Sequence, residues 1–251
     1  MGWHHPGQIL EVNRLVWLVD ITSTLSISLI ADNQMYIQPA YITTTLAFLG
    51  PLALSWQGLA TAENINWPSL KCPEDYKDTL PTPTYGSDHG VFVVCTEELI
   101  NAPMARVYDA LLDYSRYPIW NSFVIDVKLP SEELSETPTD VYVGMPMVLV
   151  TVGLLEGINS TSNEMITLLD DNGENGFMMN AWGVDDGLSG TIIAAEHPNI
   201  LVDLGNDVTR YLSYETYYSS LLAPTVLLMR EKLQTQFSQQ GRDLKNYLEG
   251  L

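Results

Sequence analysis

The chain has 251 residues, of which 31 are acidic and 11 are basic, so its formal net charge at pH 7 is −20. No run of lysine or arginine occurs, which argues against nucleic-acid binding and against docking on anionic lipid through a basic patch. Apolar residues make up 46% of the chain, an ordinary share for a domain with a packed core. A single domain of about 160 residues behind an N-terminal extension is the simplest organisation that fits this length.

Residues 1–62 form the N-terminal extension, and its second half, 36–62, is strongly apolar. This segment has no charged residue and is apolar enough at its centre to enter or cross a membrane. It ends in Ala60-Thr61-Ala62, the small-x-small pattern of a signal-peptidase site. A secretory signal starting at Met35, a membrane anchor and an extension without a structural role remain alternatives. The expected location is the secretory pathway or a membrane contacted through residues 36–62, with the cytoplasm as the alternative.

Residues 63–89 are rich in proline and lack periodicity, which predicts a linker or an arm wrapped on the following domain. Cys72 lies in this segment, and Cys95 lies on the first predicted strand, Val91 to Thr96. A disulfide between the two is one interpretation for an exported protein, and two unpaired thiols are the other.

The stretch from Ile100 to Phe123 predicts a helix, a break and a short aromatic turn. Pro103 suits the first turn of a helix, and apolar residues follow it at helical spacing. Tyr117-Pro118 then predicts a break, because the residue before a proline avoids the α region.

Beyond this stretch the chain predicts a series of strands and one closing helix. The strands are rich in β-branched and aromatic residues, and turn clusters such as His197-Pro198-Asn199 separate them. The closing helix, Pro224 to Leu248, has a broad apolar stripe. The predicted strands are Val124 to Leu129, Pro146 to Leu154, Glu164 to Leu169, Gly176 to Trp182, Gly190 to Glu196, Leu201 to Leu204 and Thr209 to Tyr217.

Two parts of this pattern resemble the superfamily that holds START lipid-transfer domains, polyketide cyclases, coenzyme Q-binding proteins and birch-pollen-allergen proteins. Its members begin with a strand, a small-residue-proline turn and a helix of the type VWxxLxDxxxYPxWN. Thr209 to Leu222 is similar to the family's last strand and its exit. The residues that match the opening pattern are Ala102, Pro103, Val107, Tyr108, Leu111, Asp113, Tyr117, Pro118, Trp120 and Asn121.

The resemblance implies an α+β helix-grip domain over residues 90–251. In this fold a curved antiparallel β-sheet wraps around a long C-terminal helix, and two short helices follow the first strand; here an irregular N-terminal extension precedes them. A ligand cavity between sheet and helix is expected, with a solid core of the same apolar residues as the alternative.

Chemistry in such a cavity would depend on single acids, bases and hydrogen-bond donors. The sequence has no metal-ligand cluster, nucleophile elbow, phosphate loop or dinucleotide fingerprint, so no metal or other cofactor is expected. Burial would raise a carboxyl pKa towards neutrality. Which parity of the last strand faces the cavity stays open. The candidate catalytic residues are Glu215, Tyr214, Glu196 and His197, and the candidate ligand-binding residues are Trp120, Asn121, Met147, Met178, Trp182 and Tyr217.

The resemblance implies two main functions, both with a hydrophobic small molecule as partner. The preferred one is a cofactor-independent cyclase, isomerase or lyase of a polyketide-like biosynthetic pathway, which promotes cyclisation, aldol condensation, dehydration or isomerisation. The alternative is a non-catalytic carrier of a lipid, quinone or polyphenol, and a protein-interaction module is a third class. An enzyme predicts an ionisable group buried among apolar residues, whereas a carrier needs only an apolar pocket with a polar mouth. The oligomeric state is left open.

Overall fold

The computed structural model describes residues 65–130, 140–173 and 176–251, so the apolar segment 36–62 lies outside the described residues. The described residues form four α-helices and one sheet with seven strands. The helices are α1 (Met104–Leu112), α2 (Tyr117–Trp120), α3 (Ala223–Leu227) and α4 (Arg230–Glu249). The strands are β1 (Gly90–Ile100), β2 (Val124–Lys128), β3 (Pro146–Leu155), β4 (Ile158–Asp170), β5 (Phe177–Val184), β6 (Ala195–Asp203) and β7 (Thr209–Tyr218).

The strand order is β1-β7-β6-β5-β4-β3-β2, and all neighbouring strands are antiparallel. The sheet curls as a half-barrel around α4, which confirms the predicted α+β helix-grip architecture. No helix in the described ranges is both long and apolar enough to span a membrane.

Helix α4 packs on the sheet through one face. Its buried positions include Leu233, Phe237, Leu244 and Leu248, which recur at intervals of four or seven residues and so share one side. The helix backbone comes very close to β1 at Gly241, where a Cβ atom would lie 2.7 Å from the Thr96 hydroxyl. A larger residue at position 241 would therefore push α4 away from the sheet.

The two short helices after β1 are present, but the predicted break at Tyr117-Pro118 is wrong: the chain leaves the helical conformation at Asp113, whereas Tyr117 is itself helical and begins α2, with Pro118 in its first turn. Helix α1 begins directly after Pro103, and a single 3₁₀ turn separates it from α2. The Tyr117 hydroxyl donates to the carbonyl of Leu111, which ties the start of α2 to the last turn of α1. The closing helix differs from the prediction, because the segment predicted from Pro224 to Leu248 is divided between α3 and α4.

The sequence prediction was wrong at His197-Pro198-Asn199. These residues do not form a turn between two strands but lie inside the single strand β6, which joins the predicted strand Leu201 to Leu204 to the end of Gly190 to Glu196. Proline suggested a turn because it lacks the N–H that a strand ladder uses.

Strand β6 tolerates this proline because the pairing is interrupted on one side only. Pro198 lies opposite Ala181 of β5. Pairing with β7 is present at Glu196 and resumes at Asn199. Continuous pairing with β5 thus keeps β6 extended at Pro198. His197 is therefore a strand residue, and its side chain points towards α4.

Residues 65–89 form an arm that packs on the convex face of the sheet. The outward side chains of β7 hold this arm: Tyr214 donates to the carbonyl of Pro81 at 2.5 Å, and Thr216 donates to that of Leu80 at 2.8 Å. A disulfide joins Cys72 of the arm to Cys95 of β1. Both faces of the sheet are therefore covered near β1 and β7, one by the arm and the other by α4.

Candidate active site

A cavity of about 180 Å³ lies between the concave face of the sheet and α4. Most of its wall is apolar, and its ionisable side chains come from three different strands: Glu164 of β4, His197 of β6, and Glu215 and Tyr217 of β7. The apolar wall consists of Phe123, Val124, Leu149, Leu154, Trp182, Val184, Ile193, Val226, Met229, Leu233 and Phe237.

The sheet register brings these side chains onto one surface. Trp182 lies opposite His197 across the β5–β6 ladder, and Tyr217 lies opposite Ala195 across the β6–β7 ladder. Because side chains alternate along a strand, Glu215 and Tyr217 share the face that meets the cavity. This answers the question of parity that the sequence left open.

Glu215 has a neighbour that partly stabilises its charge. The Tyr217 hydroxyl donates to Glu215 Oε2 at 2.7 Å. Burial raises the pKa of the Glu215 carboxyl to about 7, and the hydrogen bond from Tyr217 lowers it against that trend. Glu215 is therefore half-ionised near neutral pH, the condition that suits a general base.

Glu164 is a second carboxyl in the same wall, and sequence reasoning did not propose it for the site. It is buried, and burial raises its pKa well above its usual range; the negative charge of Glu215 adds to this effect. The charge of Glu215 thus favours the protonated form of Glu164. The signal for it was the spacing of Ser160, Ser162 and Glu164, which places polar side chains on one face of a strand.

His197 lies between two aromatic rings, at 4.4 Å from the ring centre of Trp182 and 4.8 Å from that of Phe237. Its Nε2 atom is 2.7 Å from the Ser213 hydroxyl. Burial lowers the pKa of His197 to about 3, with a hydrogen bond that the imidazole donates to Asn199 opposing that shift. The imidazole is thus neutral at physiological pH and forms part of the ring-lined wall.

Tyr214 and Glu196, two further candidates, point away from the cavity. The Glu196 carboxylate is fully buried under the arm, where it accepts hydrogen bonds from the backbone N–H and hydroxyl of Thr84 and from the hydroxyl of Thr167. Tyr214 is bound to the arm at Pro81. Both residues have the opposite parity to the cavity wall, so the structure gives them a role in fixing the arm.

Of the candidate ligand-binding residues, Trp182 and Tyr217 line the cavity. Trp120 packs instead on the rings of Tyr117 and Tyr247, outside the cavity wall. Asn121 caps the entry to β2, since its Oδ1 atom accepts from the N–H groups of Phe123 and Val124 at 2.9 and 2.8 Å.

The two methionines proposed as ligand contacts also lie outside this wall. Met147 is buried in the main core. Met178 borders a separate cavity of about 260 Å³ beside α1, together with Tyr108. Flexible apolar side chains of this kind serve equally well as core filler, which explains their positions.

Gln240 of α4 completes the wall and was also missed by sequence reasoning. Its side chain is 2% exposed and borders the cavity. One glutamine among several in an amphipathic helix gives no sequence signal, because most such residues face solvent. Within the described ranges, no group of three or more His, Cys, Asp or Glu side chains is placed to hold a metal ion.

Removing the Tyr217 hydroxyl tests the electrostatics of the site. In Tyr217→Phe, the titration midpoint of Glu215 is expected to move upward from about 7 by roughly one pH unit, because a hydrogen bond to a charged acceptor is lost. Carbon-13 NMR of labelled glutamate carboxyls measures this midpoint. Tyr218→Phe is the matched control, since Tyr218 bonds to Gly86 of the arm. A downward movement, or equal movement in both variants, would contradict the assignment.

The chain matches no protein-family model and no curated protein. It is similar to solved structures, among them a hypothetical protein from Helicobacter pylori with a TM-score of 0.50 and 14% identity, covering 71% of this chain and 95% of that one. A START superfamily protein from Mycobacterium smegmatis has a TM-score of 0.47 and 13% identity, over 63% and 97% of the two chains. The Zhui aromatase/cyclase from a Streptomyces species has a TM-score of 0.46 and 13% identity, and the match covers 62% of this chain and 93% of that one.

At such low identities the similarity concerns the fold and leaves the chemistry to be argued from the site. The fold is the one expected from the two sequence motifs, with a curled sheet, a C-terminal helix on its concave face and a cavity between them. The chain has an α+β helix-grip fold.

Proposed function

We propose that this domain is a cofactor-independent enzyme of the cyclase or isomerase type, which acts by general acid–base catalysis on a hydrophobic intermediate of a polyketide-like biosynthetic pathway. One observation carries the proposal: one mostly apolar cavity holds two carboxyls, Glu215, whose pKa burial raises to about 7, and Glu164, whose pKa is raised well above its usual range by burial and by the charge of Glu215. Two carboxyls whose environments separate their pKa values are the usual arrangement of a paired base and acid.

The two carboxyls have complementary roles in this proposal. Ionised Glu215 removes a proton from a carbon next to a carbonyl group, and the electron pair of the broken C–H bond forms the C=C bond of an enol. Protonated Glu164 supplies the proton that the carbonyl oxygen takes up. The enol then attacks a second carbonyl carbon while its O–H proton returns to Glu164 and the proton held by Glu215 passes to the second carbonyl oxygen, which gives an aldol or cyclised product. If the enol is conjugated with a further C=C bond, Glu215 instead gives its proton to the far carbon while Glu164 regains the O–H proton, which gives an isomer. General acid–base catalysis of this kind contributes about 10²–10⁴-fold in rate.

The remaining wall determines which substrates fit. An apolar cavity of about 150 Å³ is known to hold one benzene molecule, so a cavity of about 180 Å³ suits a compound with one or two small rings. The rings of Trp182, His197 and Phe237 offer flat surfaces for such a compound. Positioning against these surfaces would hold the reacting carbon near Glu215.

Incubation with metabolite extracts tests this function against the carrier alternative. The purified full chain and its Glu215→Gln variant are mixed with extracts, and retained and newly formed compounds are identified by mass spectrometry. An enzyme converts at least one compound that the variant retains unchanged. Retention of the same compounds by both proteins, with no conversion by either, would favour a carrier and contradict the proposal.

A further inference from the structure

We propose that Gln240 selects the ligand of this cavity, and that the ligand is a small ring compound with a carbonyl oxygen next to an N–H or O–H group. The inference rests on the proposed function only in taking the cavity between the sheet and α4 as the ligand site. Beyond that function, it specifies which polar group of the ligand bonds to α4.

The first support is the state of the Gln240 side chain. Its amide is almost fully buried and borders the cavity, yet neither Oε1 nor Nε2 makes a hydrogen bond to any described protein group. The great majority of buried polar side-chain atoms have a partner, because leaving one unpaired costs free energy. A ligand that enters the cavity meets this amide directly.

The second support is the contrast with other glutamines of α4. Gln234 bonds to both the N–H and the carbonyl of Cys95, and Gln239 donates to Asp243. Gln240 comes near Tyr211, closely enough to lower the pKa of that phenol, but the contact falls short of hydrogen-bond geometry. The Tyr211 hydroxyl donates instead to Asn199 at 2.8 Å. Gln234 and Gln239 therefore have hydrogen-bond partners within the protein, whereas the amide of Gln240, which borders the cavity, remains available to a ligand.

The geometry of an amide defines the complementary group. A primary amide offers an N–H donor and a carbonyl acceptor side by side in one plane. A lactam, a carboxamide or a hydroxy-ketone presents the matching acceptor and donor, whereas a hydrocarbon leaves both amide groups unpaired. Sites built to hydrogen-bond a ligand discriminate strongly against analogues without the polar group for this reason.

The position of Gln240 also orients the ligand. Tyr211, the nearest residue of β7 to Gln240, lies four residues from Glu215 on the same face of the strand, about 13 Å along its axis. Gln240 and Glu215 border the same cavity from α4 and from β7, so the amide pairs with a polar group of the ligand other than the carbonyl whose neighbouring carbon Glu215 deprotonates.

Three bicyclic probes of similar shape test the proposal: oxindole, which has a carbonyl beside an N–H; 2-indanone, which has the carbonyl alone; and indane, which has neither. Their dissociation constants are measured by calorimetry or NMR with the full chain. Wild-type protein is expected to prefer oxindole over indane by at least about tenfold, with 2-indanone between them. In Gln240→Leu this preference is expected to disappear, with weaker oxindole binding and unchanged or tighter indane binding.

Gln239→Leu is the matched control, since it makes the same change one residue away, where the amide bonds to Asp243. An equal loss of affinity for all three probes in Gln240→Leu would indicate a structural role and overturn the proposal. So would equal affinities in the wild type, or no binding of any probe. These measurements need no turnover, so a selective cavity that converts nothing would contradict the proposed enzyme and leave this inference standing.

Discussion

Replacing Glu215 with glutamine is expected to lower the rate of proton removal from a carbon acid by about 10²–10⁴-fold. Glutamine keeps the size of the side chain and can still bond to Tyr217, but it cannot accept the substrate proton. A defined assay is the incorporation of deuterium from D₂O next to the carbonyl of 2-indanone, followed by NMR. Glu156→Gln is the matched control, because Glu156 is an exposed carboxylate in the turn between β3 and β4. Equal rates in both variants would exclude Glu215 as the base.

The pH dependence of this exchange follows from the direction of the Glu215 pKa shift. The base form is the carboxylate, so the catalysed rate should rise through a midpoint of about 7 and level off at higher pH. The effect on stability has the opposite sign. A carboxyl whose pKa rises on folding stabilises the native state when protonated, and that contribution is lost as pH increases from about 4.5 to about 7.

The size of this lost stability can be compared with the loss of activity. A pKa change from 4.5 to about 7 corresponds to about 3 kcal/mol, reduced by the partial exposure of Glu215 to the cavity. Glu215→Gln should therefore be more stable than the wild type above pH 7 while being far less active. Chemical denaturation at pH 5 and pH 8 measures the difference.

Opening the Cys72–Cys95 disulfide is expected to lower the free energy of unfolding by about 3 kcal/mol. The bond closes a loop with a sequence separation of 23 residues and fastens the arm to β1. The double variant Cys72→Ser with Cys95→Ala is compared with the wild type in urea, each with and without reductant. Reductant should destabilise the wild type and leave the double variant unchanged.

The same experiment reports on the arm itself. Without the disulfide, residues 65–89 depend on hydrogen bonds to outward side chains such as Thr216 and Tyr218, so proteolysis within the arm should become faster. Equal cleavage rates in the presence and absence of the disulfide would show that those hydrogen bonds suffice. Such a bond persists in oxidising compartments, which supports our proposal of the secretory pathway over the cytoplasm.

Much of the fold could be predicted because its opening motif combines several independent local signals. Pro103 directly precedes α1, helical spacing gives the buried face of that helix, and Pro118 occupies the first turn of α2, so these short elements follow largely from their own residues. The failure at Pro198 has an equally local cause. Proline normally ends a strand, and only the ladder to β5, a tertiary contact that is distant in sequence, carries β6 through it.

The site was predicted in part. Glu215, His197, Trp182 and Tyr217 were proposed from the sequence and all lie in the cavity wall. The parity of β7 could not be predicted, because the arm and α4 bury both of its faces and remove the usual alternation of apolar and polar residues. Glu164 and Gln240 were missed because their burial depends on strands and a helix that meet only in the folded protein.

Strand β7 separates two sets of interactions that need not change together. If β7 shifted its register by one residue, an arm-binding neighbour would take the place of Glu215 in the cavity and Glu215 would face the arm. Contacts on both faces of the strand therefore fix its register. Within that register, alternate positions are free to diverge: Glu215 and Tyr217 can vary with the ligand while Tyr214 and Thr216 continue to hold the arm. Relatives that retain the arm can therefore acquire different substrates, since the residues that anchor the arm and those that meet the ligand occupy opposite faces of one strand.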